Sequence, residues 1–415
     1  MTKLTEFYIK DLAVIKSGKR LPKGYSLIDI PTTHPYIKAR DIGEGKVNDK
    51  DLQYLSDDTF KRIRKYIVET GDVCITIVGA NIGDVGIIGP SLNNANLTEN
   101  AVRLTNFKEH VSPTYIGKLL AMPFYKDYMD LLAGGAAQPK LGIYKIEKIR
   151  VNLPSLPIQQ RIASIVNAYD ELMETNNYRI NLLEETAREL YKEWFVRMRF
   201  PGYRTTKFVK GIPDSWSIVH VANAFETTGG GTPDTTNESY WDGDINWYSP
   251  TDITAAETFF LSESKKKITA KGLKESSSKL FPAGCLMMTS RATIAALGIN
   301  TTPACTNQGF ITCIPNDQFP KEYLYFWILS NKEYFEMLAS GATFLEISRT
   351  TFRKVSILKP DIGLIKKYQG ITEPIFQQIE NLQSQNINLR QIRDRLLPRL
   401  VSGKLQFKTV KQQLA

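Results

Sequence analysis

The residues with a spacing suited to phosphodiester cleavage are Asp252, Glu263 and Lys265, an acid followed by Glu-x-Lys. A metal-dependent nuclease needs carboxylates clustered around a divalent cation. Triples of this spacing arise often by chance, and the first half of the chain has no counterpart. Gly79, Gly83 and Gly86 make a loose glycine-rich loop after a strand, but no Lys-Ser/Thr follows. That speaks against a phosphate-cradling loop and for a tight turn. An adenine methyltransferase working alone is expected to show an Asn/Asp-Pro-Pro-aromatic tetrapeptide, and none is present. Cys74, Cys285, Cys305 and Cys313 lie in apolar, strand-like contexts without the close pairs of a zinc or redox motif, and His34, His110 and His220 are scattered. Buried thiols in a reducing compartment are the expectation. Neither a catalytic nor a metal site is assigned.

Binding chemistry is better represented. Lys and Arg number 53 against 43 Asp and Glu, a net charge of +10. Such an excess in a soluble chain suits a polyanionic partner, because each phosphate neutralised releases counterions. Lys16, Lys19, Arg20 and Lys23 cluster near the start, Lys61, Arg62, Arg64 and Lys65 follow, and Lys265-Lys266-Lys267 stand in the second half. Base edges are read by Arg on guanine and by Asn or Gln on adenine, while Lys grips phosphate. If the polyanion is DNA, the DNA-binding candidates are Lys19, Arg20, Lys38, Arg40 and Asn81 in the first half. In the second half they are Thr232, Ser249, Thr251, Lys266 and Arg291.

The elements that would position these residues occur twice, about 210 residues apart. Tyr36-Ile37-Lys38-Ala39-Arg40-Asp41-Ile42 answers to Trp247-Tyr248-Ser249-Pro250-Thr251-Asp252-Ile253. Gly71-Asp72-Val73-Cys74 answers to Gly284-Cys285-Leu286-Met287, and Leu97-Thr98-Glu99-Asn100 is set against Cys305-Thr306-Asn307-Gln308. Tyr115-Ile116 faces Tyr323-Leu324, and both copies continue to Leu-Ala and glycine, Leu132-Ala133-Gly134-Gly135 and Leu338-Ala339-Ser340-Gly341. A period this long is a domain duplication, since solenoid repeats run about 20 to 50 residues. A single-site enzyme has no need of two copies, and neither has a basic coiled-coil scaffold.

Between and after the copies lie two long amphipathic segments. From Leu156 to Met198 the only proline is Pro157, and apolar residues recur at Val166, Tyr169, Met173, Ile180, Leu183, Ala187, Leu190 and Trp194, with Asn176 in one seam position. The spacing predicts a helix of about 40 residues, roughly 60 Å long. A second seam is expected at Ile371, Ile375, Leu382, Leu389, Ile392, Leu396 and Leu400, with Gly370 and Pro374 bending or restarting its first turns. The two would pair as an antiparallel coiled coil. No apolar run reaches the roughly 18 residues of a membrane span, and no signal segment is visible, so a cytoplasmic protein without membrane contact is expected.

Several of these segments together resemble the specificity subunits of type I restriction-modification enzymes. Ser17-Gly18-Lys19-Arg20-Leu21-Pro22-Lys23-Gly24 resembles one opening of that family's target-recognition domains. Gly230-Gly231-Thr232-Pro233, with Tyr240-Trp241 and Ile245 to Ile253, resembles the other. Asn307-Gln308-Gly309-Phe310 is similar to the family's Asn-Gln turn, which reads Glu99-Asn100 in the first half. Leu156-Pro157-Ile158-Gln159-Gln160-Arg161-Ile162-Ala163 resembles the start of the central helix, Glu193-Trp194-Phe195-Val196 and Arg199-Phe200-Pro201-Gly202 its end. Leu396 to Gly403 resembles the end of the second helix, whose start, Asp361 to Tyr368, departs from the pattern.

The resemblance implies an α+β (mixed α/β) fold. Two tandem, similar recognition domains would be joined by two long helices in an antiparallel coiled coil, with pseudo-twofold symmetry. The expected boundaries are 1–156 and 201–360 for the domains, 157–200 and 361–407 for the helices, and 408–415 for a tail. It implies a chain without catalysis or cofactor, each domain reading one half of a bipartite, asymmetric site in double-stranded DNA while the helices set the spacer. Two methyltransferase subunits and restriction motor-nuclease subunits would complete an assembly that uses S-adenosylmethionine, ATP and magnesium in a bacterial or archaeal cytoplasm. The alternative is a stand-alone DNA-modifying enzyme, a nuclease or an adenine methyltransferase.

Overall fold

Two runs of fully buried residues, Val73-Cys74-Ile75-Thr76 and Leu286-Met287-Met288-Thr289, lie at the centre of the two halves of the structure. Apolar side chains on both faces of a strand require cover on both sides, so each run sits inside a sheet rather than at its edge. The computed structural model describes residues 4–134, 139–256, 258–341 and 345–405. Gly135, residues 406–407 and the 408–415 tail lie outside the described residues. The chain forms two compact units, residues 1–172 with 389–415 and residues 173–388.

In the first unit a six-stranded sheet runs Val14–Ser17, Ala101–Thr105, Val73–Thr76, Val85–Ile87, Gly45–Val47, Ile42–Gly43. In the second a five-stranded sheet runs Glu226–Gly229, Phe310–Ile314, Leu286–Thr289, Leu297–Asn300, Phe260–Leu261. Each unit adds a three-stranded sheet whose middle strand pairs in parallel with a late one, Tyr36 with Asn96 and Trp247 with Cys305. Each also pairs an early strand with its last, Thr5 with Leu153 and Ser217 with Lys359. The elements the two units share follow one another in the same order, as a duplication requires.

The long helices contribute to both units. The central one spans Leu156–Tyr191 and ends in a π-helical turn, Lys192–Val196. The extra residue per turn lets Trp194 and Phe195, adjacent in sequence, both enter the second unit's core. There Phe195 packs edge-on to Tyr323 and Tyr368, with ring centroids 4.9 and 5.0 Å apart. The C-terminal helix spans Ile362–Val401. Its final turns return to the first unit, where Leu400 joins Ile162, Ala163 and Val166 in the core.

The helices run antiparallel. In the first unit the Asp170 carboxylate accepts from Arg393 at 2.6 Å and from Lys118 at 2.7 Å. In the second, buried Asn176 donates to Asn386 at 2.9 Å, and Asn386 donates to Asn177 at 2.7 Å. Val166, Met173, Ile180, Ala187 and Trp194 are all buried, as a seven-residue repeat requires.

Two expectations for the second helix are corrected. Ile371 and Ile392 are 47% and 48% exposed, so neither lies in the seam. Their neighbours do: Thr372 is buried with its hydroxyl donating to the Tyr368 carbonyl, and Arg393 reaches Asp170. The helix also continues without a break through Gly370 and Pro374. Both lie on the exposed face, where the Gly370 carbonyl that loses its donor at Pro374 faces water, while Tyr368, Thr372 and Phe376 stay buried. The start, which departs from the family pattern in sequence, is helical from Ile362, where Asp361 Oδ1 accepts from the Gly363 amide at 2.8 Å. No helix among the described residues is long and apolar enough to cross a membrane.

Candidate nucleic-acid interface

The loop after the edge strand Val14–Ser17 begins with Gly18, and the loop after Glu226–Gly229 with Gly230. A β-carbon on Gly18 would collide with the carbonyls of Leu97 and Thr98, and one on Gly230 with those of Thr306 and Asn307. Only glycine lets the backbone approach this closely. The next amide, from Lys19 or Gly231, then donates to Leu97 or Thr306 at 2.8 and 2.9 Å. The aromatic of the parallel strand locks the loop from the other side, Tyr36 Oη donating to the Lys19 carbonyl and Trp247 Nε1 to that of Gly231. Burial pushes the Tyr36 phenol up to about 12, so it stays a donor at neutral pH.

This ladder fixes the correspondence between the halves and corrects it at one point. The amide of Thr98 donates to Ile37 and that of Asn307 to Tyr248, both at 3.0 Å. Thr98 Oγ1 accepts from the Asn100 amide, as Asn307 Oδ1 does from that of Gly309. Asn307-Gln308 therefore corresponds to Thr98-Glu99, one residue earlier than the Glu99-Asn100 expected. A threonine hydroxyl replaces the asparagine oxygen as acceptor.

In the first unit Arg20, Tyr36, Lys38, Arg40, Thr98 and Glu99 line a concavity of about 400 Å³. Arg20 Nε donates to Glu99 Oε1 at 2.7 Å while 80% of its side chain faces solvent. Burial raises the Glu99 carboxyl, but hydrogen bonds from Arg20, its own amide and Thr98 outweigh it and hold the group below the usual carboxylate range. The Lys38 amide donates to Asp41 Oδ2 at 2.8 Å and its ammonium to Gln53. Arg40 reaches Asp41 and the Asp51 carbonyl, both at 3.3 Å, with its side chain 61% exposed. Three sequence candidates, Arg20, Lys38 and Arg40, thus meet in one place, although 18 to 20 residues separate the first from the others. Lys19 points elsewhere, its ammonium 5.5 Å from the Tyr66 ring centroid. Tyr66 lines a second concavity of about 330 Å³ with Lys16, Lys65 and Arg103.

At the matching positions of the second unit stand Thr232, Ser249, Thr251 and Gln308. Thr232 Oγ1 donates to Gln308 Oε1 at 2.6 Å, where Arg20 meets Glu99 in the first unit. Ser249 caps the short helix Pro250–Thr254, its amide and hydroxyl both donating to Asp252 Oδ2 and its oxygen sharing a hydrogen bond with Thr251. Lys266 lies on a neighbouring strand with its ammonium 5.3 Å from the Trp241 ring. Asp252 Oδ1 accepts from the Lys265 amide, so both carboxylate oxygens serve the backbone. Glu263 pairs instead with Lys267, and among the described residues no cluster of three or more His, Cys, Asp or Glu is placed to hold a metal.

Asn81 and Arg291 occupy the same loop of the two sheets, between Val73–Thr76 and Val85–Ile87 and between Leu286–Thr289 and Leu297–Asn300. Gly79 and Gly83 take positive φ there in the first unit, Ala292 and Ala295 in the second. Arg291 pairs with Glu346 at 2.9 Å. Glu99 and Gln308 are the residues the sequence candidates missed. Gln308 carried a signal, as part of the Asn-Gln turn, whereas Glu99 is marked out by its bond to Arg20, 79 positions away.

Residues 1–185 and 213–390 match the type I restriction modification DNA specificity domain family, and the chain belongs to that family. The MjaIX specificity subunit of Methanocaldococcus jannaschii is 36% identical over 183 residues, 44% of this chain and 42% of that protein. The chain thus aligns with less than half of that relative's length. The HindI specificity subunit of Haemophilus influenzae is 21% identical over 405 residues, covering 82% of this chain and 88% of its own. The crystal structure of a type I restriction-modification S subunit from M. genitalium shares the fold, with a TM-score of 0.62 over 96% of each chain at 14% identity.

Proposed function

We propose that the chain is the DNA-reading subunit of a type I restriction-modification assembly. Each unit reads one half of a bipartite, asymmetric site, and the paired helices set the unread spacer and dock two methyltransferase subunits. Restriction motor-nuclease subunits join that core, and S-adenosylmethionine, ATP and magnesium serve the other subunits. The chain itself carries out no chemistry. One observation carries this reading. A single hydrogen-bonded scaffold is built twice, and it presents Arg20, Lys38, Arg40 and Glu99 in one copy but Thr232, Ser249, Thr251 and Gln308 in the other. Two copies of one frame with different outward side chains are what a reader of two different half-sites needs.

The test is co-expression with the partner methyltransferase, followed by single-molecule sequencing to locate methylated adenines. A split motif with a fixed gap is expected, and a seven-residue insertion near Asn176 in the central helix changes the gap. An uninterrupted motif, or DNA cleavage or methylation by the purified chain alone, would sink the proposal.

A further inference from the structure

Arginine reads guanine through two parallel donors aimed at O6 and N7. Its guanidinium is useful only if held in one plane, because a free side chain must be ordered at the moment of binding. Arg20 is held in advance. Its Nε is taken by Glu99 Oε1, and Glu99 Oε2 accepts from Thr98 Oγ1 at 3.2 Å, so the carboxylate is itself fixed. The Nη1 and Nη2 edge stays in solvent at the mouth of the concavity, with Lys38 and Arg40 on its wall. In the second unit the same two positions hold Thr232 and Gln308. There the hydroxyl takes one lone pair of Gln308 Oε1 and leaves the other, with both Nε2 donors, on an exposed side chain. An amide so presented matches adenine, which offers N6 as donor and N7 as acceptor.

We propose that residues 20 and 99, and their equivalents 232 and 308, form a two-residue base selector. Arg20, positioned by Glu99, reads a guanine in one half-site. Gln308, positioned by Thr232, reads an adenine in the other. The selector deepens the proposed function and rests on it. It makes Glu99 a specificity determinant even though a carboxylate in a basic concavity opposes DNA by charge.

The experiment is methylome sequencing of the complete assembly carrying wild-type chain, R20T/E99Q or R20K. The wild type is expected to show a split motif with an invariant guanine in one half-site and an invariant adenine besides the methylated one in the other. R20T/E99Q replaces that guanine by adenine or relaxes it, leaving the gap and the other half-site unchanged. R20K keeps the charge on a mostly exposed side chain, so folding and the salt dependence of binding are retained. It loses the fork, and discrimination at the one guanine falls roughly 5- to 150-fold. If both variants keep the wild-type motif at full discrimination, the selector is wrong while the bipartite reader stands. A wild-type assembly that methylates no split motif overturns the reader and the selector with it.

Discussion

The two units share a frame yet differ wherever that frame leaves a side chain free, inside as well as outside. Asp72 and Arg103 form a buried ion pair in the first unit, and Asp72 Oδ2 also accepts from the Glu69 amide. The strand registers put Cys285 and Thr312 at these positions in the second. There the polar work passes to buried Asn300, whose oxygen accepts from the Cys285 amide and whose nitrogen donates to the carbonyls of Pro282 and Thr302. The features common to both are the glycine approach, the aromatic-to-carbonyl bond and the carboxylate cap. Backbone donors and acceptors must be satisfied in the same way wherever the chain takes the same path. Side chains that answer only to a neighbour are replaceable in pairs.

That contrast is broken most forcefully at the buried pair. Asp72→Ala strands Arg103 without a partner and is expected to cost about 3 to 5 kcal/mol. Cys285→Ala at the equivalent place costs about 1 kcal/mol. Hydrogen exchange in the strands Ala101–Thr105 and Phe310–Ile314 measures each unit separately, and equal losses would refute the division. Next in size is the response to salt. Replacing Arg20, Lys38 and Arg40 by alanine lowers the slope of log affinity against log salt by about 0.9 for each phosphate contact removed. Replacing Thr232, Ser249 and Thr251 leaves that slope unchanged, and similar shifts from both triples would erase the electrostatic distinction.

A smaller effect, of opposite sign in the two units, is expected in the sheet loops. Gly79→Ala forces a β-carbon onto a φ of 99° and destabilises by about 1 kcal/mol, whereas Ala292→Gly relieves a φ of 57° and stabilises by a comparable or smaller amount. Thermal unfolding of the two variants tests the pair, and shifts of the same sign would show that the loops are not equivalent. The smallest effect is that of pH. Because the folded Glu99 carboxyl lies below the ordinary value near 4.3, its stabilisation is complete above that value and is lost as pH falls through the lowered one. A carboxyl chemical-shift titration of labelled glutamate follows it, and a midpoint at or above the ordinary value would remove the Arg20–Glu99 bond from solution.

Much of the frame was legible in the residues. The seven-residue spacing from Val166 to Trp194 identified the central helix, and the recurrence of Asp-Ile after an aromatic strand revealed the duplication. The errors share a cause. Ile371 and Ile392 were assigned to the seam for their hydrophobicity, but buried Thr372 and half-buried Arg393 turn inward with hydrogen bonds that spacing does not show. The one-residue shift at Thr98-Glu99 was invisible because threonine and asparagine accept the same turn bond despite their different side chains. The concavity could not be read at all, since it joins loops 79 positions apart. Its candidates came from side-chain chemistry and its geometry from the fold.

The return of Leu396, Leu397, Leu400 and Val401 to the core around Ile162 and Val166 bears on how the protein is made. The ribosome finishes residue 172 early, yet the core of that unit lacks its last wall until the other unit has been synthesised. At about 5 to 20 residues per second the delay is roughly 10 to 45 s. During that interval an apolar face of the first half lies open and must be shielded from aggregation. Chains cut short before Leu396 lack the segment that closes it.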